Sequence, residues 1–190
     1  MTSGRAQMPE MTVSPLDVLD FWWQAGAPKW FAGGDKFDGS CRDGFRETVE
    51  AATAGALDHW ADTADGALAL LILLDQMTRN IYRGTPEAFA SDAKAVSIAE
   101  TALERGFDRA FPKDVRVFFY LPFEHSENMS HQERSVDLCR RLGNTDFYHY
   151  ALIHMDVIRR FGRFPHRNKI LGRDSTPAEM AYLDDGGFSA

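Results

Sequence analysis

Apolar residues recur along this chain at intervals of three to four, the period of a helix, and no stretch alternates for long enough to demand a strand. From about Asp38 to Trp60 the apolar positions are Phe45, Val49, Ala52, Ala56 and Trp60. Asp65-Gly66 opens the most apolar segment, which runs to about Tyr82 and stops at Gly84. Capping residues punctuate the rest. Ser14-Pro15-x-Asp17 precedes Val18, Leu19, Phe21, Trp22 and Trp23, a cap followed by a first-turn proline. Ser91 to Arg105 reads as a helix ended by Gly106, and Ser130-x-x-Glu133 as a capping box for a helix ending at Gly143. Asn144 or Thr145 starts the next helix, which reaches Phe161, and Thr176-Pro177-x-Glu179 is a second capping box opening a short terminal helix. Only Val115, Val117, Phe118, Phe119 and Tyr120 could be argued as a strand, and a lone strand would have nothing to pair with. The pattern therefore predicts an all-α fold, an irregular array of antiparallel helical hairpins without a fixed repeat. It predicts a single domain over residues 13–184, a disordered tail over 1–12 and a frayed tail over 185–190.

Length and composition add little beyond an ordinary single globule: 190 residues, 44% hydrophobic and 26% charged. The net charge of -7 argues against nucleic acid or an anionic membrane as a general partner. The longest apolar run, Ala67 to Leu74, falls far short of the roughly 20 residues of a membrane span. The first residues are too polar for a secretory signal. A soluble cytoplasmic protein is the expectation, with Cys41 and Cys139 as free thiols. There is no Gly-rich phosphate loop, no GxSxG and no HExxH, and no cofactor is implied.

Candidate chemistry is concentrated in three segments and one further histidine. Tyr120-Leu-Pro-Phe-Glu-His-Ser-Glu127 and Phe161-Gly-Arg-Phe-Pro-His-Arg-Asn168 set Glu124, His125, Glu127, Arg163, His166 and Arg167 among aromatics and prolines. Polar groups held so near aromatic packing lose water and need a partner or a ligand. In Leu70 to Arg83, Gln76, Arg79, Asn80 and Arg83 share a helical face distinct from the core stripe of Leu70, Leu73, Leu74, Met77 and Ile81, and Asp75 lies four before Arg79. His154 falls on the apolar stripe of Phe147, Tyr150, Ala151, Ile158 and Phe161, where burial keeps an imidazole neutral.

Two readings of these residues stay open. In one, Asp75, Arg79, Asn80, Arg83, Glu124, His125, Glu127, His154, Arg163, His166 and Arg167 line a pocket for a small anionic ligand or a carboxylate-bearing peptide end, with His154 or Glu124 as the candidate base. In the other they form an ion-pair network inside a protein–protein interaction scaffold. A metal held by Glu124, Glu127 and one or two histidines is a further alternative, though no ligand signature announces it.

The chain resembles the family catalogued as domain of unknown function 924. The resemblance is carried by Val18-Leu-Asp-Phe-Trp22, Lys29-Trp-Phe31, Leu74-Asp-Gln-Met-Thr-Arg-Asn-Ile-Tyr-Arg83, the two aromatic segments above and Leu171-Gly-Arg-Asp-Ser-Thr176. Met77-Thr78 stands where a Phe-Pro pair is more usual in that family. The resemblance implies a bacterial, tetratricopeptide-like helical superhelix, and it implies no reaction and no catalytic residues.

Overall fold

Helices and single helical turns make up the regular structure of this computed structural model, which describes residues 13–189, and no strand occurs among the described residues. The tail expected over 1–12 lies outside them. The chain runs through α1 (Pro15–Ala25), α2 (Ala27–Trp30) and α3 (Asp35–Thr53) to a central rod. The rod is α4 (Ala64–Leu71), a π-helical stretch (Ile72–Met77) and α5 (Thr78–Ile81) in unbroken succession. Then come α6 (Asp92–Glu104), the short α7 (Lys113–Arg116) and α8 (Leu121–Glu124), the long α9 (Met129–Leu142) and α10 (Thr145–Phe161), and α11 (Pro177–Asp184).

The rod is buried on every side because it is apolar on nearly every side: residues 66–77 are all buried, and α1, α3 and α6 pack around it. Its start demands a glycine. A Cβ on Gly66 would collide with the Trp60 carbonyl, so the preceding turn closes onto the helix only there. Next to the rod, Phe118 (1% exposed) anchors an aromatic nest, its ring 5.3 Å from Trp30, 5.8 Å from Trp23 and 6.0 Å from Trp22. Val115 to Tyr120, the segment arguable as a strand, forms helical turns instead. α9 and α10 fold back on each other as a hairpin through Gly143, whose φ of 78° suits a residue without a Cβ.

Most capping predictions hold, and one does not. Ser14 and Thr176 both make reciprocal capping boxes, with Asp17 and Glu179 respectively. The predicted box at Ser130 and Glu133 is absent: Asn128 caps α9, its Oδ1 accepting from Ser130 N at 2.9 Å. An Asn two residues upstream offers the same oxygen and ends the preceding turn, so it wins the position. Thr176→Ala removes the acceptor of the Glu179 N–H at 3.2 Å and is expected to cost about 1 kcal/mol, a fall in Tm of roughly 2–4 °C by differential scanning calorimetry. Unchanged Tm would mean that α11 is held by its side-chain contacts alone.

Candidate functional site

The 120s and 160s segments meet in the interior, beside the π-helical part of the rod. Glu127 accepts a hydrogen bond from Phe164 N at 2.9 Å, which ties the two segments directly. The His154 ring, from α10, lies 6.0 Å from that of His125 and 5.7 Å from that of Phe164. These joints place a cluster of ionisable groups from α6, α8, α10 and the rod around one interior region.

Asp75 is its fixed point. A π turn carries one extra residue per hydrogen-bonded ring, so it rotates the downstream residues relative to a regular helix, and Asp75 sits within this stretch at 1% exposure. His125 Nδ1 lies 2.8 Å from Asp75 Oδ1 and 3.0 Å from Oδ2, and Gln76 Nε2 donates to Oδ2 at 2.6 Å. Arg79 Nη1 approaches Oδ1 to 3.4 Å. Burial alone would raise this carboxyl, but His125, Arg79 and Gln76 outweigh it and hold it at about 2. An ionised carboxylate only accepts, so His125 Nδ1 carries the proton and its Nε2 is left with the lone pair. Burial disfavours the charged His125 ring more than Asp75 favours it, so the imidazole is neutral at neutral pH. About 16% of the His125 side chain stays exposed, and its Nε2 has no hydrogen bond among the described residues.

A second layer surrounds Asp92, the first residue of α6. Arg79 Nη2 contacts both its oxygens, at 3.0 and 3.1 Å, and Arg167 Nη1 reaches Oδ2 at 3.2 Å. Burial pushes the Asp92 carboxyl up against the pull of these two guanidiniums. Arg167 is 6% exposed and lies between aromatic rings, its Cζ 4.5 Å from the centroids of both Phe89 and Phe164. Burial lowers its pKa to about 10, and its Nε has no hydrogen-bond partner among the described residues.

Glu124 and His154 face each other as neutral partners. Glu124 Oε1 is 3.2 Å from His154 Nδ1, which donates to the Tyr150 carbonyl at 2.8 Å. The distance alone would pass for an ion pair. Burial, however, raises Glu124 to about 8 and lowers His154 to about 3, so neither is charged at neutral pH. Burial and then Arg167 bring His166 down to about 4. Chemically, Glu124 is a proton donor at neutral pH, and His125, oriented by Asp75, is the imidazole best placed to accept a proton at Nε2.

Seven of the residues singled out in the sequence thus come together: Asp75, Arg79, Glu124, His125, His154, His166 and Arg167. Four do not. Asn80 and Arg83 turn to α3, where Asn80 Nδ2 and Arg83 Nε bond the Asp38 carboxylate at 2.8 and 2.6 Å. Arg79 and Asn80 are adjacent and so lie about 100° apart around the helix, which sends one to α6 and the other to α3. Glu127 is gripped by Arg173, with Nη1 at 2.7 Å from Oε2 and Nη2 at 2.9 Å from Oε1. Arg163 forks onto Glu179 at 2.6 and 2.9 Å and fastens α11. α8 stops at Glu124, so Glu124 and Glu127 do not share a helical face and take different partners. Among the described residues no group of three or more His, Cys, Asp or Glu side chains is arranged to hold a metal ion. Both cysteines are free and buried.

Asp38, Asp92 and Arg173 complete these networks and carry no signal in the sequence that sets them apart. Asp92 reads locally as an ordinary first-turn acid, favourable at any helix start. Phe188 is a further surprise: it lies in the segment expected to fray, yet its ring centroid is 4.3 Å from that of His154.

The comparisons with known proteins match this architecture and leave its purpose open. A family model described as a bacterial protein of unknown function, DUF924, matches residues 18–187. The solved structure of a protein of unknown function from Agrobacterium tumefaciens, ATU0120, is similar at 46% identity and a TM-score of 0.87, covering 90% of this chain and 97% of that one. No curated protein matches. No helix among the described residues is long and apolar enough to cross a membrane. The family match and the shared structure together place the chain in the DUF924 family.

Proposed function

We propose that this protein binds a small anionic ligand, a carboxylate being the best fit, at the cluster of Arg79, Arg167, His125 and Asp92. The observation that carries the reading is Arg167. It is a buried guanidinium with an unpartnered Nε, sharing its one carboxylate with a second arginine. Burying an unused charged donor costs free energy, and an incoming anion would recover it. Side chains of His125 (16% exposed), Arg79 (21%) and Asp92 (16%) offer the approach from solvent. The neutral His125 adds no negative charge beside the guanidiniums, and its Nε2 lone pair would accept from a hydroxyl elsewhere on the same ligand.

Calorimetric titration with acetate, succinate and inorganic phosphate tests this. Saturable binding is expected for the unaltered chain, weakened roughly 10- to 100-fold in Arg167→Met, as befits loss of a charge-assisted hydrogen bond. Circular dichroism checks that the variant keeps its helices. No saturable heat with any of the three would remove the reading.

A second reading is favoured by the remaining ion pairs. Arg83–Asp38, Arg173–Glu127 and Arg163–Glu179 each bolt one element to another, as an interaction scaffold of tetratricopeptide-like hairpins would require. On that reading Arg79→Met and Arg163→Met lower stability alike and no small-molecule affinity exists to be lost.

A further inference from the structure

Phe188 occupies a slot with an unusual lining. Its ring lies 4.3 Å from the His154 ring, 5.4 Å from that of His166 and nearly perpendicular to it at 80°, and 6.4 Å from Phe164. Val157, Ile158 and Phe164 form a small buried core behind it, separate from the main one. Two of the three aromatic walls are therefore imidazoles, and each keeps an uncommitted nitrogen. The buried His166 Nδ1 has no partner among the described residues. The His154 Nδ1–H is directed to the Tyr150 carbonyl, which leaves Nε2 with its lone pair and no hydrogen bond among the described residues. A phenyl ring fills the volume and satisfies neither nitrogen, so Phe188 suits the shape of this slot better than its chemistry.

The occupant is held chiefly through its backbone, which also meets the His166 ring. Phe188 N donates to the Tyr182 hydroxyl at 2.8 Å and Gly187 N to the Tyr182 carbonyl at 2.9 Å. Just upstream, Gly186 has a φ of 77°, which a glycine adopts without strain. Arg167 packs on the same Phe164 ring that walls the slot, so a ring in the slot and an anion at Arg167 share a neighbour.

We infer that the slot bounded by His154, Phe164 and His166 is a binding site for a planar ring carrying a hydrogen-bonding group, a phenol or a heteroaromatic, with Phe188 as its displaceable internal occupant. The ligand class is then a polar aromatic acid. The proposal rests on the anion reading only for the carboxylate; the ring site stands by itself. Binding moves the Phe188 side chain out, sets the ring against the two imidazoles and supplies a hydrogen bond to His154 Nε2 or His166 Nδ1. No bond is made or broken.

The test uses the full chain and Phe188→Ala, titrated calorimetrically with 4-hydroxybenzoate, benzoate and acetate. Emptying the slot is expected to tighten 4-hydroxybenzoate about tenfold, on the order of what burying part of an aromatic ring contributes. Benzoate should gain less and acetate nothing. A folded Phe188→Ala protein that binds 4-hydroxybenzoate no better than the unaltered chain overturns the slot. Should that variant fail to fold, the unaltered chain decides. At millimolar 4-hydroxybenzoate the His154 and His166 ring resonances must shift in proton–carbon NMR, and unmoved resonances overturn the proposal. The two readings separate cleanly. Acetate binding without an aromatic gain sinks the slot and spares the anion site, whereas an aromatic gain with no saturable heat from acetate, succinate or phosphate supports the slot and sinks the anion site.

Discussion

Asp75→Ala is expected to destabilise the fold by about 3–5 kcal/mol, the cost of breaking a buried charge pair from one side. Three donors converge on that carboxylate: His125 Nδ1 at 2.8 Å, Gln76 Nε2 at 2.6 Å and Arg79 Nη1 at 3.4 Å. Its removal strands an imidazole N–H, an amide and part of a guanidinium with no water to replace it, because Asp75 is 1% exposed. For a chain of this size the loss corresponds to a fall in Tm of roughly 6–20 °C. Replacing Asp75 and His125 together should cost less than the sum of the single changes, since the orphaned imidazole donor goes too. The same carboxyl sets an acid limit. Its folded pKa of about 2 lies below the ordinary 3.8, so it contributes stability above 3.8 that is lost as pH falls toward 2. A loss under about 1 kcal/mol in urea denaturation of Asp75→Ala would show that this cluster does not hold the fold together.

Glu124→Gln should have the opposite sign. Burial raises the Glu124 carboxyl from 4.5 to about 8, so the folded chain keeps a proton that the unfolded chain has released at neutral pH. The contribution of this group is fully present below pH 4.5 and is withdrawn as pH rises through 8. Glutamine imitates the neutral acid and cannot ionise. At pH 7 the variant is expected to be more stable by about 3 kcal/mol, from roughly 2.5 units at 1.36 kcal/mol each. The advantage should vanish near pH 4. His154 shapes the acid side in the reverse direction: held at about 3, well below 6.5, it contributes stability above 6.5 that is lost as pH falls toward 3. Stability curves against pH for the unaltered chain and Glu124→Gln, compared from pH 4 to 9, check both signs. Parallel curves would mean that Glu124 is ionised in the folded protein.

The two effects share one cause. Glu124 and His154 approach each other to 3.2 Å where neither holds a charge, while Asp75 retains its own because three donors surround it. A cluster that keeps an ionised carboxylate, a neutral carboxylic acid and neutral imidazoles side by side has separated its acid and base forms by environment, as binding and catalytic sites do. Structural networks also perturb ionisation, which is why ligand titration and not electrostatics decides the function.

Local signals explain which parts are legible in the chain alone. The helices at Ser14, Asn144 and Thr176 are readable because a cap is a property of four consecutive residues. The α9 cap is misplaced by the same rule, since Asn128 and Ser130 both offer an oxygen and only the path of the preceding turn chooses between them. Within the cluster, Asp75 and Arg79 are visible as a pair four apart. Asp92 is not, because its partners Arg79 and Arg167 lie 13 and 75 residues away. The division of Arg79 from Asn80 and Arg83 depends on where α3 and α6 sit against the rod, a fact no helical period contains.

What the sequence determined by itself is the class of fold and the segments that matter: the 3.6-residue period, the caps and the two aromatic-framed polar stretches are all short-range properties of the chain. What only the tertiary structure decided is the charge each group carries and the partner it meets. Both depend on desolvation and on contacts between residues far apart in the chain, and these exist only once the helices have packed.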